Sequence, residues 1–184
     1  MKKEFVVGVT GASGVVYARR LLEVLCDQAT VHIVISDTAR QIAGIERVDL
    51  TGFDAIYAEN SNLAADIASG SFRYDGMAIV PCSMKTLAAV SNGLADNLIA
   101  RAADVCLKER RSLLLLLREM PLSRIHLKNM LAADEAGATV MVASPPFYQH
   151  PKTIDDLVDM VVARVLDHLG VEHRLGSRWS GYDA

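Results

Sequence analysis

Cysteine is scarce in this chain of 184 residues: Cys26, Cys82 and Cys106 are the only three, and none belongs to a C-x-x-C pair. That excludes a disulfide framework and a thiolate zinc site. Aromatic residues make up 5% of the chain, which points to an aliphatic core rather than an aromatic-rich binding surface. Neither sign of charge dominates. With a net charge of -3 and a pI near 5.9, no overall field attracts a polyanion such as DNA, so a nucleic-acid partner is not expected and any cationic site must be local. Long apolar runs are missing too: the longest purely aliphatic one, Leu113 to Leu117, falls far short of the ~20 residues of a membrane helix. Met1 to Glu4 lead directly into a short apolar strand and a glycine turn, without the longer apolar run and cleavage site of a signal peptide. The expectation is a soluble, cytoplasmic protein with no membrane partner. His32, His126, His150, His168 and His173 show no H-E-x-x-H or comparable spacing, so no metal is expected.

What is present is an alternation of short apolar runs with longer amphipathic ones, the rhythm of βαβ units around a parallel sheet. Strands are predicted over Phe5 to Val9, Val31 to Ile35, Met77 to Val80, Leu113 to Leu117 and Thr139 to Val142, with a weaker one near Ala55 to Tyr57. Helices are predicted over Val15 to Cys26, Thr38 to Ile45, Lys85 to Val90, Asn97 to Arg110, Leu122 to Ala136 and Thr153 to Leu169. Glu59 to Tyr74, richer in Ser, Asn and Gly, reads as a loop with one helical turn. The reading is one α/β domain over residues 1–184, whose tail, 171–184, is ordered against a neighbouring subunit.

Ligands of open parallel sheets bind beyond the carboxyl ends of the strands, and that rule selects five loops. They are Thr10 to Gly14, Ser36-Asp37, Pro81 to Thr86, Arg118 to Pro121, and Ser144 to Tyr148. The glycines of the first fit either a tight turn or a backbone cradle for an anion at a helix N-terminus. Ser83 either caps the following helix or binds a ligand, as does Thr86 beside it. Arg101 and Lys108, seven residues apart, share one helix face, which is either solvated or a cation row. Glu119 leaves a strand of five leucines, where desolvation favours proton transfer, unless Arg118 and Glu119 form a structural ion pair. Cys82 reads as a small buried residue rather than a nucleophile. Asp155-Asp156-Leu157-Val158-Asp159 imitates a magnesium-binding D-D-x-x-D, but Thr153 as N-cap makes these carboxylates first-turn helix stabilisers.

Gly8 to Gly14, Val80 to Thr86, N-L-I-A-R-A-A-D-V-C-L-K-E-R-R from Asn97, R-E-M-P-L-S-R-I-H-L-K-N-M-L from Arg118, and Phe147 to Gly170 together resemble the UbiX family of flavin prenyltransferases. Gly70 to Met77 and the tail Glu172 to Trp179 resemble its phenolic-acid decarboxylase accessory branch. The resemblance implies a flavodoxin-like (Rossmann-like) three-layer α/β sandwich that binds FMN and assembles as a homododecamer with sites at subunit junctions. It implies transfer of a dimethylallyl group from dimethylallyl phosphate to reduced FMN, giving prenylated FMN for a UbiD-type decarboxylase. Gly11, Ala12, Ser13, Ser36, Ser83, Met84, Lys85, Thr86 and Arg101 match the positions that hold FMN. Arg101, Lys108, Arg118, Tyr148 and Arg164 match the group around the prenyl phosphate, and Trp179 a tail residue near the neighbouring site. Glu119 and Ser13 match residues implicated in proton handling, and Glu46 another active-site carboxylate. Leu117 stands where the family usually has proline; leucine reaches the same extended conformation, so a small effect is expected. The alternatives are an FMN-dependent cysteine decarboxylase of the phosphopantothenoylcysteine type, which carries P-A-S-A-N-T where this chain has Pro81 to Thr86, and a flavin carrier without catalysis.

Overall fold

Apolar runs with no polar face must be covered on both sides, and all six strand segments join a single parallel sheet in the computed structural model, which describes residues 2–176, 178 and 181. The strands are β1 (Glu4–Val9), β2 (Thr30–Ile35), β3 (Ile56–Glu59), β4 (Gly76–Cys82), β5 (Ser112–Leu117) and β6 (Thr139–Val142). Their order across the sheet is β3-β2-β1-β4-β5-β6. The helices are α1 (Val15–Gln28), α2 (Asp37–Glu46), α3 (Met84–Ser91), α4 (Leu98–Lys108), α5 (Arg124–Glu135) and α6 (Ile154–Leu169). A single 3₁₀ turn, Asp66–Ala68, interrupts the loop after β3.

Two apolar layers hold the helices to the sheet. On one face Leu21, Leu22 and Leu25 of α1 and Val162, Val165 and Leu166 of α6 pack against Val7, Ile33, Leu114 and Leu116. On the other, Leu87 of α3, Ile99 and Ala103 of α4 and Ala133 of α5 pack against Val6, Ile79, Leu113 and Leu115. The five leucines of β5 thus divide between the faces by the two-residue alternation of a strand. This is the three-layer, flavodoxin-like arrangement.

The chain builds outward from β1 through β2 to β3, then returns to β4 and continues to β6. Its direction reverses between β1 and β4, the switch point where such sheets open a ligand crevice. Thr10, 3% exposed, ties the two strand ends together. Its hydroxyl donates to the Pro81 carbonyl (2.9 Å) and accepts from the Ser83 N–H (2.8 Å).

The first residues of the C-terminal segment also pack on their own chain. Val171 is buried and Leu175 half-buried in the α1/α6 layer of the same chain, because the left-handed Gly170 turns the chain back across α6. Trp179 lies outside the described residues.

Candidate functional site

Four loops at the carboxyl ends of β1, β2, β4 and β5 line a cavity of about 710 Å³. It gathers Gly11, Ala12 and Ser13; Ser36; Ser83, Met84, Lys85 and Thr86; Arg118 and Glu119; and Glu46 from the end of α2. Its size suits a cofactor or drug-sized ligand.

Each element enters for a local reason. Ser36 caps α2, its hydroxyl accepting from the Ala39 N–H (3.2 Å), and Ser83 caps α3 by accepting from Thr86 (3.3 Å). Capping points both helix N-termini, with their unpaired N–H groups and positive dipole ends, at the cavity. Ser83 and Thr86 also share a hydroxyl hydrogen bond of 3.1 Å. Capping and ligand-facing roles therefore coexist at Ser83. Gly11 is required by closeness: a Cβ there would stand 2.5 Å from Thr38 Cγ2 at the start of α2. Gly14 is required by conformation, at φ 102°, where α1 begins.

Glu46 has a definite structural task. Its two carboxylate oxygens accept from the N–H groups of Gly14 and Val15, each at 2.9 Å, so the acid acts as a remote cap on α1. Those two amides are thereby committed within the chain. Arg118 Nε donates to the Ser13 carbonyl at 2.9 Å, joining the β5 loop to the β1 loop. Tyr17 lies below this contact, its phenol pKa raised by burial and partly lowered by Arg118.

Within one chain, several of the other residues selected from the sequence stand apart from this cavity or at its open edge. Glu119 is exposed and its carboxylate accepts from the Met120 N–H (3.0 Å), so within one chain it does not sit in a dry layer. The loop carries it past the last leucine before any helix covers it. Arg118 bonds Ser13 rather than Glu119, and no ion pair joins Arg118 to Glu119 among the described residues. Arg101 does not line the cavity: it pairs with Asp104 (2.9 Å) and donates to the Ala68 carbonyl (3.1 Å). Lys108 pairs with Glu109, also away from it. Only the first turn of α4 reaches the cavity, through Asn97 and Ile99, and the nine residues from Ile99 to Lys108 carry Lys108 ~14 Å further along the axis. Tyr148 and Arg164 line a different cavity, with Asp167, His173 and Arg178.

Other features follow the local chemistry. Thr153 caps α6 in a reciprocal box with Asp156, and Asp159 pairs with Arg20 (2.6 Å), so the aspartate run serves the helix and its neighbour. Burial pushes the Cys82 thiol well above its usual range, which removes it as a thiolate. Asn60 was missed. It follows β3 directly, lines the cavity, and its side-chain oxygen accepts from the Ile99 N–H (3.1 Å). Extending the strand-end rule to the weak third strand selects it.

Residues 1–166 match the flavoprotein family. The chain is 47% identical to the flavin prenyltransferase UbiX of Methanocaldococcus jannaschii, over 96% of this chain and 98% of that protein. Among solved structures, AnUbiX (PadA1) in complex with FMN and dimethylallyl pyrophosphate is similar with a TM-score of 0.95 and 41% identity, each chain being covered completely. A dodecameric FMN-dependent UbiX-like decarboxylase from Escherichia coli O157:H7 gives a TM-score of 0.92 and 46% identity, over 97% of this chain and 100% of that one.

Proposed function

Because the chain belongs to the UbiX flavin prenyltransferases within the flavoprotein family, we propose that it transfers a dimethylallyl group from dimethylallyl phosphate to N5 and C6 of reduced FMN. The prenylated FMN then serves a UbiD-type decarboxylase, in the cytoplasm. The observation that carries the reading is the convergence of strand-end groups on one cavity at the β1/β4 switch point.

The residues present fit FMN. Capped N-termini of α2 and α3, Lys85 and the hydroxyls of Ser83 and Thr86 suit an anionic, hydroxyl-rich ligand, and Gly11 leaves backbone open where a side chain would strike Thr38. Gly11, Ala12, Ser13, Ser36 and Ser83 to Thr86 are assigned to hold it, with Arg101 reaching it from another copy. When bound and reduced, FMN supplies the electron-rich ring atoms that accept the prenyl group.

The chain's part is to hold the donor, keep water away and steady the departing phosphate. Lys108, Arg118, Tyr148 and Arg164 are assigned to that anion. Ser13 and Glu119 are assigned to proton transfer at the ring, and Glu46 to keeping the α1 turn in place beside them. Since Tyr148 and Arg164 line a separate cavity of their own chain, the reading requires them to come from a neighbouring copy, in a homododecamer like that of the E. coli relative. The same contact would enclose Glu119. Trp179 is assigned to that junction.

Anaerobic incubation with reduced FMN and dimethylallyl phosphate, without metal, should add one dimethylallyl group to the flavin by mass spectrometry. A protein that binds FMN but leaves the flavin mass unchanged with both mono- and diphosphate donors is a carrier, and the proposal fails. Carbon dioxide released oxidatively from a peptidyl cysteine would instead mark the decarboxylase alternative, which the Pro81 to Thr86 sequence disfavours.

A further inference from the structure

The second charged cavity is organised by one carboxylate. Asp167, on α6, takes three donors: Arg164 Nη1 on Oδ2 at 2.7 Å, and Arg178 Nη2 and His173 Nε2 on Oδ1 at 2.8 and 3.2 Å. His173 Nδ1 accepts from the Leu175 N–H (3.2 Å), so the ring proton lies on Nε2 and points at Asp167. The His173 side chain is 4% and that of Asp167 21% exposed, while the side chains of Arg164 and Arg178 are 60% and 75% exposed. Acid and imidazole thus form a buried base, and the two cations form a rim above it beside Tyr148.

An exposed Arg–Asp pair adds little to stability in water, so this arrangement is better explained by what the cations face. Each guanidinium spends one N–H on Asp167 and keeps the rest of its five donors. Two cations against one carboxylate leave an excess positive charge. We propose that Asp167 is a positioning residue that sets Arg164 and Arg178 side by side as one anion subsite, so that α6 and the C-terminal segment grip the donor's phosphate together. Arg178 is then a phosphate-binding residue beyond those the family resemblance supplies. The geometry also explains why the chain folds back at Gly170: the return brings His173 and Arg178 to Asp167. Burial pushes the Asp167 carboxyl up, but hydrogen bonds from Arg178 and His173 outweigh it and hold the pKa below the ordinary value.

The inference rests on the prenyl-donor reading, and its test separates the two. With the assembled wild-type protein and its Arg178→Gln and Asp167→Asn variants, steady-state prenylation is measured against dimethylallyl phosphate, and binding of inorganic phosphate by calorimetry. Both variants should raise KM for the donor by about tenfold with kcat within about twofold, and weaken phosphate binding in parallel. Asp167→Glu should recover part of the KM. Hydrogen exchange over residues 171–178 should accelerate in Asp167→Asn while α1 and the sheet stay protected. Unchanged KM and phosphate affinity in both variants overturn the subsite; so does a fall confined to kcat. A wild-type protein that binds phosphate through Arg178 without prenylating flavin overturns the function and leaves the subsite standing.

Discussion

Two carboxylates illustrate how one residue type takes different work from its surroundings. Glu46 has both oxygens committed to the Gly14 and Val15 amides, whereas Glu119, exposed at the cavity, has one oxygen on the neighbouring Met120 amide. Glu119→Gln keeps the shape and the amide contact but cannot carry a proton. It should bind FMN as the wild type does and slow prenyl transfer on the order of 10²-fold, measured by single-turnover flavin absorbance. Unchanged turnover would remove Glu119 from the chemistry. Glu46→Ala leaves two helix-end donors without their acceptor and should cost about 1–2 kcal/mol in urea unfolding, with weakened FMN binding because the α1 turn loosens. A variant as stable as the wild type contradicts the capping role. At this scale the sequence was informative where a side chain acts on its own loop, as at Ser36 and Ser83. It named Glu46 only through the family resemblance and did not show its capping partners, 31 and 32 residues away in sequence, and it did not select Asn60.

Secondary-structure elements were legible because their signals are local. β2, β5 and β6 begin and end within one residue of the apolar runs that predict them, and α6 starts at the residue after its predicted cap. β4 runs two residues past the carboxyl end of its apolar run, through Pro81 to Cys82, and one residue before its start, since a proline is tolerated where the strand breaks register with β5. β3 was the weak one: at the sheet edge it is mostly exposed, so no continuous apolar run marks it. Helix α6 offers a direct check on its cap. Asp156 accepts from the N–H groups of Lys152 (2.8 Å) and Thr153 (3.0 Å), and these bonds hold its pKa below the ordinary 3.8. A lowered folded-state pKa gives stability that is present above 3.8 and is lost as pH falls through the folded value. Asp156→Asn should therefore lower stability at neutral pH and flatten the acid limb below pH 3.8 in thermal melts, whereas parallel wild-type and variant curves contradict it.

At the scale of the molecule, what the sequence could not display is which copy supplies which residue. Strand-end groups are brought together by one chain's topology, but Tyr148 and Arg164 line another cavity, and Ile125, Leu127 and Leu131 on α5 are apolar residues left exposed among the described residues of one chain. Apolar surface of that kind on a helix face fits burial against further copies. Twelve copies of a 19.9 kDa chain would run at about 240 kDa by light scattering, and Leu131→Lys should lower that mass and abolish prenylation together. A fully active monomer contradicts the shared site. The most direct measurement is complementation between two impaired variants, Glu119→Gln and Arg164→Ala, co-expressed with different tags and purified as mixed assemblies. If prenyl transfer takes place where one copy's strand-end cavity meets another copy's Arg164, mixed assemblies recover activity at the junctions where both intact residues meet. Mixed assemblies no more active than either variant alone, with the mixing verified by native mass, contradict it.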